Sequence, residues 1–338
     1  MRFTSRADAW AVTLRLILTL PLLSGCLHLG EERGESPWID FEPLVAMEEG
    51  PQYHLLEGYD PIWMERVREG IESSRAYWGS FGPTHVWILG REDGDSVRAG
   101  DRDAFIEEYC VCRTASGDRT LSECRPYAKE RFFDVLERGE AEAYLSYVRE
   151  TDPPMAELVF INVHNWFFEE DPIPDPALRG IHEYTHVFQS SFPVTPTWMM
   201  EGGAVFAEAW LPWRSGMRGI DEVMERSMHA ALEVMDRGLS IAQMEEIETA
   251  PKRVAKYHRE LAYDAGAWAV AFMIHESKTQ SVASLRDEFY PSVTTLGWEA
   301  ALSQYTSRGS KEEFYDAFAE FMASPREEKL VLLHRLKD

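Results

Sequence analysis

The sequence predicts an α+β protein, with a small mixed sheet in an N-terminal part packed on one central helix and a mainly α-helical C-terminal part. Three observations lead there. Strand-like stretches are confined to the first half, the strongest being Thr84–Leu89 and Met155–Val163, both rich in β-branched and aromatic residues. Next comes Arg179-Gly-Ile-His182-Glu183-Tyr184-Thr185-His186-Val-Phe-Gln189, in which Ile181, Val187 and Phe188 recur at helical spacing. From Thr197 onward the pattern is helical almost throughout.

Residues 1–25 read as a secretory leader. Arg2, Arg6 and Arg15 precede or flank the apolar run Leu16–Leu23, which is too short to cross a bilayer comfortably and is followed by small residues. Leu23-Ser24-Gly25-Cys26 resembles the lipobox of bacterial lipoproteins, which implies cleavage before Cys26 and lipidation of that cysteine. Leu27 in place of aspartate then implies the outer membrane or cell surface of a Gram-negative bacterium, reached through the lipid anchor. The formal net charge is -24, and the leader carries three Arg against one Asp, leaving about -26 on the rest. Such a surface repels nucleic acid and anionic lipid.

Residues 26–50 form an acidic spacer, although Trp38–Val45 alternates in part and also reads as a strand. A first structural part is expected over 51–192. Pro61–Trp78 is helical, with Ile62, Val67, Ile71 and Tyr77 near one face, and leads into the strand Thr84–Leu89. An insertion of about 91–154 carries Cys110, Cys112 and Cys124. In an oxidising compartment two of the three pair, with Cys124 joined to either Cys110 or Cys112. Tyr127–Arg149 reads as a helix with a charged outer face, a segment placed to cover a cleft. His164, directly after the strong strand, reads as a polar strand end.

Asp175 and Pro176 suit the cap and first position of the central helix. Residues four apart share a helix face, so His182 and His186 present two imidazoles to one point with Glu183 beside them. This is the pattern of a zinc site with its general base. A catalytic zinc takes three protein ligands and keeps one position open, and Glu201 is the third candidate, on a helix that starts after a turn containing Pro193 and Pro196. Glu208 lies two turns further on the same face. It is read either as a surface glutamate or as the acceptor of the outer N–H of a ligating histidine.

These residues resemble the gluzincin metallopeptidases, especially the bacterial peptidase-MA-like proteins. The likeness is carried by His182-Glu183-Tyr-Thr-His186, by Trp198-Met-Met-Glu201-Gly-Gly-Ala and by Tyr263-Asp-Ala-Gly266-Ala267, in that order, within about residues 40–325. It implies a thermolysin-like catalytic core binding one Zn2+ through His182, His186 and Glu201, with Tyr263 steadying an oxyanion. It also implies that an extended substrate lies against the strand before the zinc helix. The Gly-x-Met-Glu-Asn stretch by which aminopeptidases of this group hold a free amine is absent, which favours an endopeptidase.

The second part, 193–338, is expected to hold helices near Ile220–Arg237, His258–Glu276, Leu296–Tyr305, Lys311–Met322 and Pro325–Leu336. His258 and His275 have no partner at ligand spacing and are read as structural or exposed. The expected function is zinc-dependent hydrolysis of peptide bonds in a peptide or protein substrate, with Glu183 as base. Two alternatives stand beside it, a non-catalytic surface lipoprotein and a zinc amidase of the cell wall. Oligomeric state has no signal in the sequence.

Overall fold

The computed structural model describes residues 42–91, 96–115, 117, 119–166 and 175–338. The leader, Cys26 and the spacer up to residue 41 lie outside the described residues.

Two short strands, β1 (Val45–Ala46) and β2 (Gln52–Leu55), precede helix α1 (Pro61–Trp78). Asp60 caps that helix by accepting a hydrogen bond from the Ile62 amide at 2.9 Å, and Pro61 takes a first-turn position where its missing N–H costs nothing. Strands β3 (Phe81–Gly82) and β4 (Thr84–Leu89) follow. Helices α2 (Ala99–Ala115) and α3 (Leu121–Ala128) come next, and a π-helical turn at Lys129–Phe133 leads into α4 (Asp134–Glu137). Strands β5 (Glu142–Val148) and β6 (Met155–Ile161) complete the N-terminal elements. The main sheet has the order β2-β4-β6-β5, with β5 antiparallel to β6 and the other pairs parallel, so it is small and mixed as expected.

Every residue of β6 is buried, because helices cover both faces of the sheet. On one face the indole of Trp87 meets the rings of Phe105 and Tyr109 at 5.6 and 5.1 Å. On the same face Glu157 accepts hydrogen bonds from Arg113 at 2.8 Å and Tyr109 at 3.2 Å. Strand side chains alternate, so Val86, Ile88, Leu158 and Phe160 point the other way, into the core shared with Val67, Ile71, Tyr184 and Val187.

Three expectations are corrected. Tyr127–Arg149 is helical only as far as Glu137, and its second half is strand β5. Tyr144, Leu145 and Val148 are the buried residues of that strand, and the charges that suggest an outer helix face, Glu140, Glu142 and Arg149, stand at its ends. Helices α2 to α4 therefore line the sheet face away from α1 rather than covering a cleft. The strand before the central helix, β6, is paired on both sides and offers no edge, whereas β5 has no further strand partner among the described residues. Of the two cysteine pairings left open, the disulfide joins Cys110 to Cys124 with Cα atoms 5.6 Å apart, and Cys112 is the leftover thiol.

The rest is helical: α5 (Asp175–Gln189), α6 (Thr197–Arg214), α7 (Ile220–Met235), α8 (Lys252–Ala255), a π segment Arg259–Ala265 running into α9 (Gly266–Glu276), then α10 (Tyr290–Leu296), α11 (Trp298–Thr306), α12 (Lys311–Ala323) and α13 (Arg326–Arg335). Leu296 ends α10, a helix not expected from the sequence. Gly297, at φ 77, turns the chain into α11. Trp198, Trp210, Trp268 and Phe289 are fully buried in this half.

Helices α1 and α5 cross with their backbones in contact. A Cβ on Gly70 would sit 1.8 Å from the Ala177 carbonyl oxygen, and one on Gly180 would sit 2.3 Å from that of Val67. Only glycine fits at this crossing, which fixes the height of α5 above the sheet. Gly180→Ala should force the helices apart and lower the free energy of unfolding by roughly 1–3 kcal/mol. Urea denaturation measures this, and an unchanged midpoint would contradict the crossing.

Candidate metal centre

Helix α5 carries His182, Glu183 and His186, and α6 carries Glu201 and Glu208. Pro196 opens α6, its carbonyl accepting from the Met199 and Met200 amides at 2.8 and 3.0 Å. This puts Glu201 in the first turns of α6, opposite the two histidines. Glu201 Oε2 lies 3.3 Å from His182 Nε2 and 3.5 Å from His186 Nε2. The ligand-type atoms of these three buried residues all fall within 4.8 Å of one another, and they form the one such group among the described residues.

His182 Nδ1 is 3.3 Å from Glu208 Oε1, which lies 3.6 Å from an Arg179 guanidinium nitrogen. His186 Nδ1 is 2.7 Å from Gln189 Oε1. His186 Nδ1 is thus held from behind by a hydrogen bond, the Glu208 carboxylate stands behind His182 at ion-pair distance, and each Nε2 is turned towards Glu201. The ring planes stand at 85°, so the two nitrogens approach one point from different directions.

Burial opposes a charge on His182, but Glu201 and Glu208 outweigh it and raise its pKa to about 10. Burial also opposes ionisation of Glu201, yet His186 and His182 hold its carboxyl well below the usual range. Glu208 is likewise lowered against burial, by Arg179 and His182. The cluster favours positive charge at its centre. Buried without a hydrogen-bond partner are His182 Nδ1, His186 Nε2, Glu183 Oε2, Glu201 Oε2 and Glu208 Oε1. Orphaned buried polar atoms of this number are costly unless a further group engages them. A divalent cation fits two imidazoles and one carboxylate. Glu183 is 3% exposed, and burial is the main cause pushing its carboxyl up, with His182 and His186 pulling the other way.

Tyr263 comes to the same place from the C-terminal part, its ring parallel to that of His182 at 5.8 Å and 12°. Two features bring it there. The π segment Arg259–Ala265 widens the turn on which Tyr263 sits. Gly202 meets Gly266 so closely that a Cβ on Gly202 would lie 2.1 Å from the Gly266 carbonyl carbon.

The structure brings together all six residues singled out for chemistry: His182, Glu183, His186, Glu201, Glu208 and Tyr263. It also adds two that the sequence analysis missed or set aside. Gln189 stands three residues after His186, one helical turn on, a spacing that could have marked it. His258, read as structural or exposed, packs its ring edge-on to Tyr263 at 5.4 Å and has a buried Nε2 without a partner; burial lowers its pKa against the opposing pull of Glu201. Its place depends on the chain turn before the π segment, which has no sequence signature. His164 lies apart from this cluster, its Nδ1 2.9 Å from Tyr59 Oη, and His275 Nδ1 is 3.4 Å from the Gln280 amide.

Replacing the acceptor behind His182 in Glu208→Ala should lower affinity for a divalent probe ion such as zinc about 10–100-fold. Chelator competition reads this directly, and unaltered affinity in a folded variant would contradict the arrangement.

Comparison with known proteins gives no match: no family model, no curated protein and no solved structure is similar to this chain.

Proposed function

We propose that the protein is a zinc-dependent metallopeptidase of the gluzincin type, with a thermolysin-like core, that hydrolyses internal peptide bonds. The observation that carries this reading is Glu183: a metal site serving structure alone needs no third buried carboxylate beside its ligands, whereas hydrolysis needs a base there. His182, His186 and Glu201 are the ligands. A zinc ion held by them would lower the pKa of a bound water and polarise the scissile carbonyl.

The remaining steps belong to this chain's own groups. Glu183 accepts the proton of the attacking water and delivers it to the departing amine. Tyr263 donates a hydrogen bond from its phenolic hydroxyl to the oxygen on which negative charge develops. His258 Nε2, beside Tyr263, is available to hydrogen-bond the substrate. Strand β5 supplies an edge along which an extended peptide can pair, in place of the fully paired β6. Export through a leader and anchoring by lipid on Cys26 would set this activity at the outer membrane or cell surface.

Glu183→Gln should keep its metal and lose about 10²–10⁴-fold in turnover of a mixed peptide library. Tyr263→Phe should lose about 10²–10³-fold in kcat with metal content unchanged. Wild type that binds metal and cuts no peptide would contradict the proposal, and cleavage confined to murein fragments would move the reaction to a cell-wall amide.

A further inference from the structure

The amide of Gln189 has only one possible orientation. One end faces the main-chain carbonyl of Met200 at 3.0 Å and the Tyr290 hydroxyl at 3.1 Å, and the other faces His186 Nδ1 at 2.7 Å. A carbonyl oxygen only accepts, so the nitrogen Nε2 must be the end turned to Met200. Oε1 therefore faces His186 and can only accept, so His186 Nδ1 must carry the proton. In a neutral ring that leaves Nε2 bare, with its lone pair aimed towards Glu201 Oε2 at 3.5 Å.

The surroundings keep the amide in this pose. Gln189, His186 and Tyr290 are each under 5% exposed, so these contacts are shielded from bulk solvent. Gly203 leaves the space that the amide occupies, since a Cβ there would stand 2.8 Å from Gln189 Nε2. In Glu201-Gly202-Gly203 the first glycine thus admits α9 and the second admits Gln189. The Tyr290 ring is packed against Phe188 and Phe192 at 5.0 and 5.4 Å, which ties its hydroxyl to the position of α10.

A carboxylate would not serve as well at this position. Glu183, Glu201 and Glu208 are already present, with Arg179 beside Glu208, and an acid at 189 would set an oxygen against the Met200 carbonyl. The two imidazoles are consequently backed by different groups, His182 by a carboxylate at ion-pair distance and His186 by a hydrogen-bonded neutral amide relayed to the helical part of the chain.

We propose that Gln189 is a positioning residue that locks His186 in its Nδ1–H tautomer, held in orientation by Met200, Tyr290 and the gap at Gly203, so that metal affinity depends on the seating of α10 against α5. The inference rests on the metal-binding part of the reading above but not on peptidase activity.

The test pairs two measurements that need no substrate. The first is chelator competition with zinc for wild type, Gln189→Met and Tyr290→Phe. Gln189→Met, similar in size but unable to accept from the ring, should bind zinc about 10–100-fold more weakly, and Tyr290→Phe should show a smaller loss in the same direction. The second is ¹⁵N NMR of histidine-labelled, metal-free wild type, where the nitrogen shifts of His186 should report a single Nδ1–H tautomer. A folded Gln189→Met with wild-type zinc affinity, or one that loses thermal stability alone, would overturn the proposal. So would an Nε2–H tautomer in wild type, a result obtainable even if Gln189→Met fails to fold. A wild type that binds no zinc would sink the metal site itself, and the tautomer would still decide the role of Gln189.

Discussion

Three carboxylates and two imidazoles meet where α5 and α6 face each other, most of them buried, with Glu208 and the neighbouring Tyr263 still partly exposed. Ionised groups are strongly disfavoured in such a setting unless each finds a partner of opposite charge or a hydrogen bond. Arg179 answers only part of the negative charge, and the shifts of His182, Glu201 and Glu208 all show a cluster that favours a cation at its centre. This imbalance governs the structure around it. It requires α5 and α6 to be held at a fixed separation and their outer groups to be held from behind.

The fold supplies that rigidity through backbone contact rather than through long side chains. Gly70 and Gly180 seat α5 on α1, and Gly202 and Gly266 seat the π segment and α9 on α6. Glycine at such crossings leaves no side chain to rearrange, so His182, two residues after Gly180, and Glu201, next to Gly202, inherit the precision of the helices. The sheet is the foundation: β6 is buried on both faces, and the α2–α4 layer, tied within itself by the Cys110–Cys124 bond, closes it from below through the Arg113–Glu157 pair. Breaking a buried pair of this kind by removing one partner leaves an uncompensated charge and typically costs about 3–5 kcal/mol, so this distant layer also bears on the stability of the site.

The parts legible in the sequence are those written in local spacing. His182, Glu183 and His186 follow from helical periodicity alone, and Glu201 and Glu208 follow once a second helix is placed after the proline turn. Helix α1 and strands β4 and β6 were equally plain, because their apolar repeats match the periods of their elements. What was not legible depends on contacts between distant residues. The choice of Cys110 over Cys112 follows from the faces that α2 turns to α3, and spacing could not supply it. Strand β5 was hidden because charges at its ends gave the stretch a helical look, while its burial depends on pairing with β6. His258 and Gln189 act through partners that come from other elements, Tyr263 in one case and Met200 and Tyr290 in the other.

The central claim is that His182, His186 and Glu201 together hold one metal ion. X-ray absorption at the zinc edge, on the chain loaded with one equivalent and dialysed, tests it most directly. Stoichiometric zinc with a shell of two imidazole nitrogens and light oxygen donors, lost in Glu201→Ala, is the expected result. Zinc surrounded by sulfur, which would point to Cys112, or no zinc retained by a folded wild type, would contradict it.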